Sequence, residues 1–185
     1  HATPRRLCSP LLVGPFNIFE HVRDRLKIRV KLQRAVFPWK ENTSIPILDV
    51  GDGLWADIHY GQVAKSAGKS ACVAIEKAVE LCTVGKAVAM VTAPVSKEAM
   101  QLAGYSFPGQ TEMIALLSRS SKVAMMLVST KMRVGLVTIH TPLRTVAESL
   151  SKDKIVEKTK IIAEALKKNF QIRKQRIAVL SLNPH

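Results

Sequence analysis

The sequence predicts an α/β protein in which mostly buried strands are covered by helices on both faces of a sheet. Hydrophobic residues make up 47% of the 185 residues, which is enough for a sizeable core. Several apolar runs of strand length are continuous rather than alternating, which is typical of strands buried on both faces. Between them, apolar residues recur at three- and four-residue steps, the pattern of amphipathic helices. This alternation of strands and helices favours an α/β fold.

The first third of the chain contains a strand, a helix and a second strand. Residues 11–14 (LLVG) form an apolar run that is closed by glycine and proline. Residues 17–28 carry a helical pattern, with Asn17 as the predicted N-cap. Between residues 30 and 60 the pattern is irregular, except for a strand at 45–50. We expect residues 1–60 to be part of an N-terminal lobe.

From residue 61 the pattern is more regular and predicts a central α/β region that extends to residue 185. Its longest helix starts at Gly61 and ends near Gly85, and Ser151 caps a later one. The other predicted helices lie at 96–103, 111–118, 142–150 and 151–170, and the strands at 87–92, 123–128, 134–139 and 177–182. Chemistry in such folds gathers where loops leave the strand ends, and every informative motif here lies at such a point.

Composition and charge restrict the possible classes of function. The 28 basic and 14 acidic residues give a net charge of +14, but the basic residues are scattered and only 5% are aromatic, so we do not predict nucleic-acid binding. No apolar run approaches the roughly 18 residues that span a bilayer. Three cysteines without a CxxC pair suit a reducing compartment, which predicts a cytoplasmic location. The first residue is not methionine, which suggests that the chain begins within a longer sequence.

Residues 92–97 (TAPVSK) place a strand end directly before a helix. The backbone amides at the helix start, together with Ser96 and Lys97, are suited to an anion. The alternative is structural, with Ser96 as the N-cap and Glu98 in the first turn. The pattern alone leaves both interpretations open.

Residues 107–112 (FPGQTE) form a second loop that closes onto a helix N-terminus. Gln110 and Thr111 offer donors and acceptors for a polar substrate beside the free amides of the helix. Alternatively, Thr111 caps the helix and the remaining residues form a turn. The pattern supports the two interpretations equally.

Two histidines lie at the ends of predicted buried strands. His140 belongs to residues 138–144 (TIHTPLR), where the proline suits a first helical turn and makes a rigid corner. His185 ends residues 182–185 (LNPH). A lone histidine is more often structural, but two neutral imidazoles that converge can bind a divalent metal of the Zn, Mg, Co or Mn type. A third ligand must come from elsewhere, because the other histidines stand in poor contexts (His1, His21 and His59).

Taken together, these segments resemble the 4-hydroxythreonine-4-phosphate dehydrogenase family, PdxA, of pyridoxal phosphate biosynthesis. Five segments occur in the family's order and at its approximate spacing: 91–97 (VTAPVSK), 107–112 (FPGQTE), 125–128 (MMLV), 133–144 (RVGLVTIHTPLR) and 177–185 (IAVLSLNPH). The resemblance begins at about residue 10 and is dense from about residue 61. Five ordered matches are far more specific than any one of them.

The resemblance implies an isocitrate/isopropylmalate dehydrogenase-like α/β fold, incomplete in this chain, and a homodimer with its active site between subunits. It implies oxidation of a small phosphorylated substrate, 4-phosphohydroxy-L-threonine, by NAD, after which the 3-oxo acid loses carbon dioxide. A divalent metal would bind the substrate's hydroxyl and amine and make the alcohol easier to deprotonate. Carried over by position, Gln110 and Thr111 match the substrate-binding pair, and His140 and His185 match two metal ligands.

Several positions depart from the family's pattern. The substrate-binding pair is commonly His-Thr, whereas this chain has Gln110 and Thr111, and glutamine cannot become a cation. Thr145 follows Arg144 where the family has aspartate. The family's opening Gly-Asp-Pro-Ala-Gly element, its Tyr-His-Asp-Gln-Gly element with the third metal histidine and most of its NAD contacts have no counterpart here, and no GxGxxG replaces them. We therefore expect a fragment that is inactive alone.

Two other functions stay open at this point. Gln110 favours a related dehydrogenase of a phosphorylated four-carbon acid such as threonate 4-phosphate. The apparent truncation and the basic surface favour a non-catalytic remnant or interaction protein. In either case, missing strands predict an exposed sheet edge, an exposed apolar face and poor solubility of the isolated chain.

Overall fold

The computed structural model describes residues 8–36, 44–51 and 59–183. The chain divides into two compact units, His1–Arg119 and Ser120–His185. The first unit has a parallel sheet with helices, so the predicted α/β class is confirmed. The boundary expected after residue 60 stays a prediction, because residues 52–58 lie outside the described ones.

A three-stranded parallel sheet opens the first unit. Its strands are β1 (Leu12–Gly14), β2 (Leu32–Arg34) and β3 (Ile45–Asp49), in the order β1-β3-β2. The strands predicted at 11–14 and 45–50 are confirmed as β1 and β3. The sequence did not predict β2, because basic and polar side chains interrupt its apolar residues. Its place follows from pairing with β3, in which Leu32 lies opposite Ile45.

Helix α1 (Phe16–Arg25) connects β1 with β2. The prediction that Asn17 is its N-cap was wrong, because Asn17 lies inside the helix and Pro15 precedes it without a side-chain cap. Oδ1 of Asp49 accepts a hydrogen bond from the backbone N–H of Phe16 at 3.1 Å. A carboxylate at the end of β3 therefore satisfies a helix-start amide that a neighbouring residue was expected to satisfy.

Three further helices build the core of the first unit: α2 (Lys65–Thr83), α3 (Lys97–Leu102) and α4 (Gln110–Leu117). They confirm the helices predicted at 61–85, 96–103 and 111–118. The apolar stripe of α2 packs against fully buried Met100 of α3 and Met113 of α4. The stripe consists of Cys72, Ile75 and Val79. Residues flanking the loop before α4, including Tyr105 and Phe107, pack against the same core.

The strand predicted at 87–92 is wrong, because this segment has no strand structure. Val88 and Val91 are fully exposed, and Met90 packs against the core. An apolar run becomes a strand only when a neighbouring strand satisfies its backbone groups. None of the strands in the described part of the chain pairs with these residues.

The second unit combines a hairpin with a long helix. Strands β4 (Met125–Val128) and β5 (Arg133–Leu136) pair antiparallel around a turn at Ser129. A short 3₁₀ turn (Leu143–Thr145) and α5 (Val146–Ser149) occupy the region predicted as one helix at 142–150. Helix α6 (Lys152–Lys168) follows, and Ser151 caps it as predicted by accepting a hydrogen bond from the backbone N–H of Lys154. None of the helices in the described part of the chain combines the length and the hydrophobicity of a membrane-spanning segment.

The predicted burial of the strands in this second unit is wrong. The strands expected at 123–128 and 134–139 form in shortened versions, but their residues are only half-buried or exposed. Residues 177–182 form no strand over the stretch expected, and Leu180 is 88% exposed. A two-stranded hairpin with one long helix and two short helical turns does not cover both faces of its strands. Full burial needs more polypeptide than this unit provides.

Candidate functional site

Residues 92–97 lead into the N-terminus of α3, with Ser96 as the N-cap. Oγ of Ser96 accepts a hydrogen bond from the backbone N–H of Ala99 at 3.2 Å, so the capping interpretation of Ser96 is confirmed. Lys97 is the first residue of α3, and its side chain is exposed. Of the two side chains considered for anion binding in this segment, Lys97 is the one left available.

Gln110 and Thr111 are the first two residues of α4. The alternative that Thr111 caps this helix is wrong, because Gly109 is the N-cap and no side chain caps it. Both residues are partly exposed at the helix start. Their polar groups are therefore placed beside the backbone amides of the first helical turn, which have no partners inside the helix.

A long-range hydrogen bond joins the two loop motifs. Nε2 of Gln110 donates to the backbone carbonyl of Ala93 at 2.7 Å, across 17 residues of sequence. This contact orients the side-chain amide, because the opposite orientation would bring two oxygens together. Residues 92–97 and 107–112 consequently meet at one corner of the first unit. Sequence reasoning missed the role of Ala93, since a backbone acceptor leaves no signal in residue type.

Two charged side chains flank this corner. A Cβ added to Gly109 would lie 3.1 Å from Oε2 of Glu112 and 3.9 Å from Nζ of Lys97. The glycine backbone is extended, with φ of −177°, a conformation that any residue can adopt. The backbone conformation at residue 109 therefore does not require glycine, and the missing side chain leaves room for Glu112 and Lys97.

Tyr105 and Glu76 support the loop that leads to α4. Burial, the negative charge of Glu76 and a hydrogen bond to the same carboxylate all raise the pKa of Tyr105. The backbone N–H of Tyr105 also donates to the carbonyl of Met100 at 2.9 Å. Gly104 precedes it with φ of +89°, which favours glycine. The loop is thus tied to α2 and α3, a role that the sequence pattern did not indicate.

His140 lies in the second unit, after β5, and is exposed. Its φ is +53°, in the left-handed region that few non-glycine residues occupy. Among the described residues, the other non-glycine residues with positive φ lie within three residues of the end of a helix, where this conformation is common (Lys27, Arg119 and Gln171). His140 follows a strand instead. A left-handed backbone at a non-glycine residue is strained, and strained residues are concentrated at functional sites. This geometry is compatible with a presented imidazole.

The second predicted metal ligand, His185, lies outside the described residues. Within residues 8–36, 44–51 and 59–183, no group of three His, Cys, Asp or Glu side chains is placed to hold a metal ion. Of the two predicted metal ligands, the described part of the chain contains His140. The structure brings together Gln110, Thr111 and Lys97, whereas the pairing of His140 with His185 stays a prediction.

Comparison with known proteins agrees with the motifs described above. Residues 6–185 match the family model of the pyridoxal phosphate biosynthetic protein PdxA. The chain belongs to the PdxA family. This confirms the family predicted from the five ordered segments, and the match covers both compact units.

Individual PdxA proteins show the same relationship. The 4-hydroxythreonine-4-phosphate dehydrogenase of Trichlorobacter lovleyi is 35% identical over 185 residues, which cover 98% of this chain and 55% of the relative. The dehydrogenase of the same name from Geobacter metallireducens is 40% identical over 184 residues, or 98% of this chain and 54% of the relative. The chain therefore spans about half the length of the curated PdxA relatives it matches.

A crystal structure of a 4-hydroxythreonine-4-phosphate dehydrogenase from Burkholderia phymatum is also similar. The TM-score is 0.77 at 32% sequence identity, over 86% of this chain and 49% of that structure. The fold of this chain is therefore that of the corresponding part of a PdxA dehydrogenase.

Proposed function

We propose that the protein to which this chain belongs oxidises 4-phosphohydroxy-L-threonine with NAD, and that the product then loses carbon dioxide, in pyridoxal 5′-phosphate biosynthesis. The observation that carries this proposal is the hydrogen bond from Gln110 to the carbonyl of Ala93, which unites two PdxA motifs at one corner. Membership of the PdxA family supports the chemistry. The names of the relatives supply the substrate.

Gln110 and Thr111 are the proposed substrate-binding residues. Both begin α4, so their side chains stand beside amides that can donate to a bound group. The Gln110 amide retains an acceptor oxygen and one N–H after its bond to Ala93. These groups can orient a polar substrate, and orientation is one of the larger contributions to enzymatic rate.

His140 and His185 are the proposed metal ligands, for a divalent ion of the Zn, Mg, Co or Mn type. The described residues do not form a complete site by themselves, since they include only His140 of this pair. Further ligands have to come from His185 and from polypeptide beyond this chain. The contribution proposed for His140 is therefore limited to presenting its imidazole from the strained corner after β5.

NAD binding is proposed for the longer protein as a whole. No NAD contact is assigned to this chain, because its sequence has no Gly-rich dinucleotide motif. The proposed fold of the whole is isocitrate/isopropylmalate dehydrogenase-like, and the proposed assembly is a cytoplasmic homodimer. The 185-residue chain alone is proposed to be inactive. Support for this comes from the relatives, of which it covers about half.

The deciding experiment compares the 185-residue chain with a version completed by the flanking regions of the Geobacter metallireducens relative. NADH formation is followed with 4-phosphohydroxy-L-threonine and a divalent metal. We expect turnover in the completed protein only. Robust NAD reduction by the chain alone contradicts its inactivity. A folded but inactive completed protein contradicts the proposed function, and salt-sensitive DNA or RNA binding without metal affinity would favour the non-catalytic alternative.

A second candidate is a dehydrogenase of a related phosphorylated acid such as threonate 4-phosphate. It is favoured by Gln110, which is neutral and already donates one N–H to Ala93. The completed protein should be compared on both substrates, as wild type and as Gln110→His. If the main substrate is 4-phosphohydroxy-L-threonine, the histidine variant should lower KM for it. A wild-type protein that turns over only the threonate ester favours the second candidate.

A further inference from the structure

A basic segment leads from the end of α1 to the edge of the parallel sheet. Between Asp24 and the end of this described range at residue 36, the sequence contains no acidic residue. The same stretch contains five basic residues, all of them exposed (Arg25, Lys27, Arg29, Lys31 and Arg34). Residues 25–36 therefore present charge of one sign only, and we call them the basic edge segment.

Two of these five cations have partners. Arg34 forms an ion pair with Asp49 at 3.3 Å from Nε to Oδ2, and Cζ of Arg25 lies 3.6 Å from the ring centroid of Tyr60. The ion pairs within residues 8–36, 44–51 and 59–183 include none of the other three (Lys27, Arg29 and Lys31). Like charges so close along the chain repel one another, and an anionic partner relieves that repulsion.

The backbone of the basic edge segment has an open side. Among the described strands, β2 pairs with β3 alone, so β2 is an edge strand. The carbonyl of Lys31 and the N–H of Ala35 both form hydrogen bonds with β3. Because backbone groups alternate in direction along a strand, the N–H and C=O groups of Leu32 and Arg34 point away from β3. A further strand can pair with these groups.

Charge and backbone together determine the chemistry of a partner at this edge. A second copy of the chain would place its own basic edge segment against the first, and like charges on paired strands destabilise the pairing. Nucleic acids and anionic membranes would match the charge, but neither offers a backbone that pairs with a strand edge. A peptide with carboxylate side chains meets both requirements.

We propose that the basic edge segment binds an acidic peptide in extended conformation, which adds a strand beside β2. Main-chain hydrogen bonds form at Leu32 and Arg34, and the three unpaired cations attract the peptide's carboxylates. Leu26 is 62% exposed and Ile28 is 45% exposed, so aliphatic side chains of the peptide also find contacts there. This interaction is separate from the proposed dehydrogenase activity and does not depend on it.

The test is a titration of the fluorescently labelled 185-residue chain with a synthetic peptide of alternating glutamate and valine. The chain is kept at nanomolar concentration, below the range in which self-association is expected. Two control peptides separate the contributions: in one, lysine replaces glutamate, and the other keeps the glutamates but is N-methylated and lacks main-chain donors. We expect saturable binding of the acidic peptide only, weakened by added salt.

Variants identify the surface that binds. Neutralising the three unpaired cations should raise Kd about tenfold, the loss expected for three exposed ion pairs (Lys27→Gln, Arg29→Gln and Lys31→Gln together). The matched control removes the same charge from exposed positions of α6 and should leave Kd nearly unchanged (Lys152→Gln, Lys160→Gln and Lys167→Gln together). Attraction to net charge alone would respond equally to both triple variants.

Several results would overturn the proposal. These are equal weakening by the two triple variants, undiminished binding of the N-methylated peptide, or no saturable binding of the acidic peptide. Phosphatidylserine vesicles and a DNA duplex are titrated in parallel. If either binds more tightly than the peptide, and does so through the same three cations, the segment belongs to that class of partner and the peptide proposal is wrong.

Discussion

At the scale of single residues, burial decides which thiol of the chain can react. Cys72 is fully buried in the core formed by α2, Met100 and Met113, whereas Cys8 is exposed. Burial, with a smaller contribution from the negative charge of Glu76, raises the pKa of Cys72 to about 11. Because only the thiolate is nucleophilic, we expect Cys72 to be unreactive toward electrophiles at neutral pH.

Alkylation should distinguish these two cysteines. At pH 8, iodoacetamide is expected to modify Cys8 and to leave Cys72 unmodified, because a thiol with a pKa of about 11 is ionised on the order of one part in a thousand. Peptide mass spectrometry measures both. Unfolding in urea provides the control, in which both residues react. Equal labelling of Cys8 and Cys72 in the native chain would contradict the assigned core.

At the scale of elements, contacts between distant segments determine where the helices begin and how closely they pack. Asp49 at the end of β3 accepts hydrogen bonds from the N–H groups of Phe16 and Gly51, and its Oδ2 lies 3.3 Å from Nε of Arg34. Helices α2 and α3 approach so closely that a Cβ on Gly68 would overlap the carbonyl group of Ala99. Both contacts depend on residues that are remote in sequence.

Asp49→Ala should destabilise the first unit by about 1–2 kcal/mol, since it removes the cap of α1 and leaves a helix-start amide without its partner. Asn17→Ala is the matched control, because Asn17 lies inside α1 and only accepts a long hydrogen bond from exposed Arg34. Urea unfolding followed by circular dichroism measures both variants. An equal or larger loss in the Asn17 variant would restore Asn17 as the cap.

Gly68→Ala should lower the free energy of unfolding by about 1–3 kcal/mol, the usual cost of overpacking. The direction of this change in stability is informative, because replacing glycine by alanine in an exposed helix raises the free energy of unfolding by about 1 kcal/mol. Lys65→Ala, at an exposed position of α2, should change stability by less than about 0.5 kcal/mol. Thermal melts of the three proteins test this. A stabilised Gly68 variant would mean that α2 and α3 are farther apart than described.

The helices and strands show which structural features a sequence pattern predicts and which it does not. The long helix α2 was predicted because its apolar residues repeat with a helical period. Ser151 was correctly identified as a cap, and capping was one of the two interpretations left open for Ser96, because in both cases the partner is three residues away. The strands expected at 87–92 and 177–182 were wrong, since an apolar run specifies a tendency to be buried and not a pairing partner. Gln110, Thr111 and Lys97 were found as candidates from the sequence, but the contact between Gln110 and the carbonyl of Ala93 was not.

At the scale of the whole molecule, both units leave large apolar side chains exposed. Val91 in the first unit is fully exposed, and Leu180 in the second is 88% exposed. Further examples are Val88, Leu116, Leu143 and Val179. Exposed apolar surface of this kind marks contact regions or causes aggregation. Individual apolar side chains are therefore exposed in both units, while the predicted apolar face and its effect on solubility stay predictions.

The isolated chain should bind a hydrophobic dye and self-associate at micromolar concentration. Light scattering and size-exclusion chromatography measure this association. The double variant Val91→Thr and Leu180→Gln should reduce dye binding and leave the far-ultraviolet circular dichroism unchanged, because both side chains are exposed and lie outside helices and strands. A single sharp monomer peak with a cooperative melt would contradict the prediction.

The sequence by itself determined the α/β class, the family and most helices, and it named the residues of the candidate site, whose roles stay predictions. These properties depend on apolar periodicity, on capping partners a few residues apart and on ordered motifs, all of which can be recognised locally. Only the tertiary structure decided that Asp49 caps α1 across 33 residues and that Gln110 meets Ala93 across 17. It also decided which apolar runs became strands. The physical reason is that a backbone hydrogen bond needs a partner brought close by the fold, and local residue types do not specify that partner.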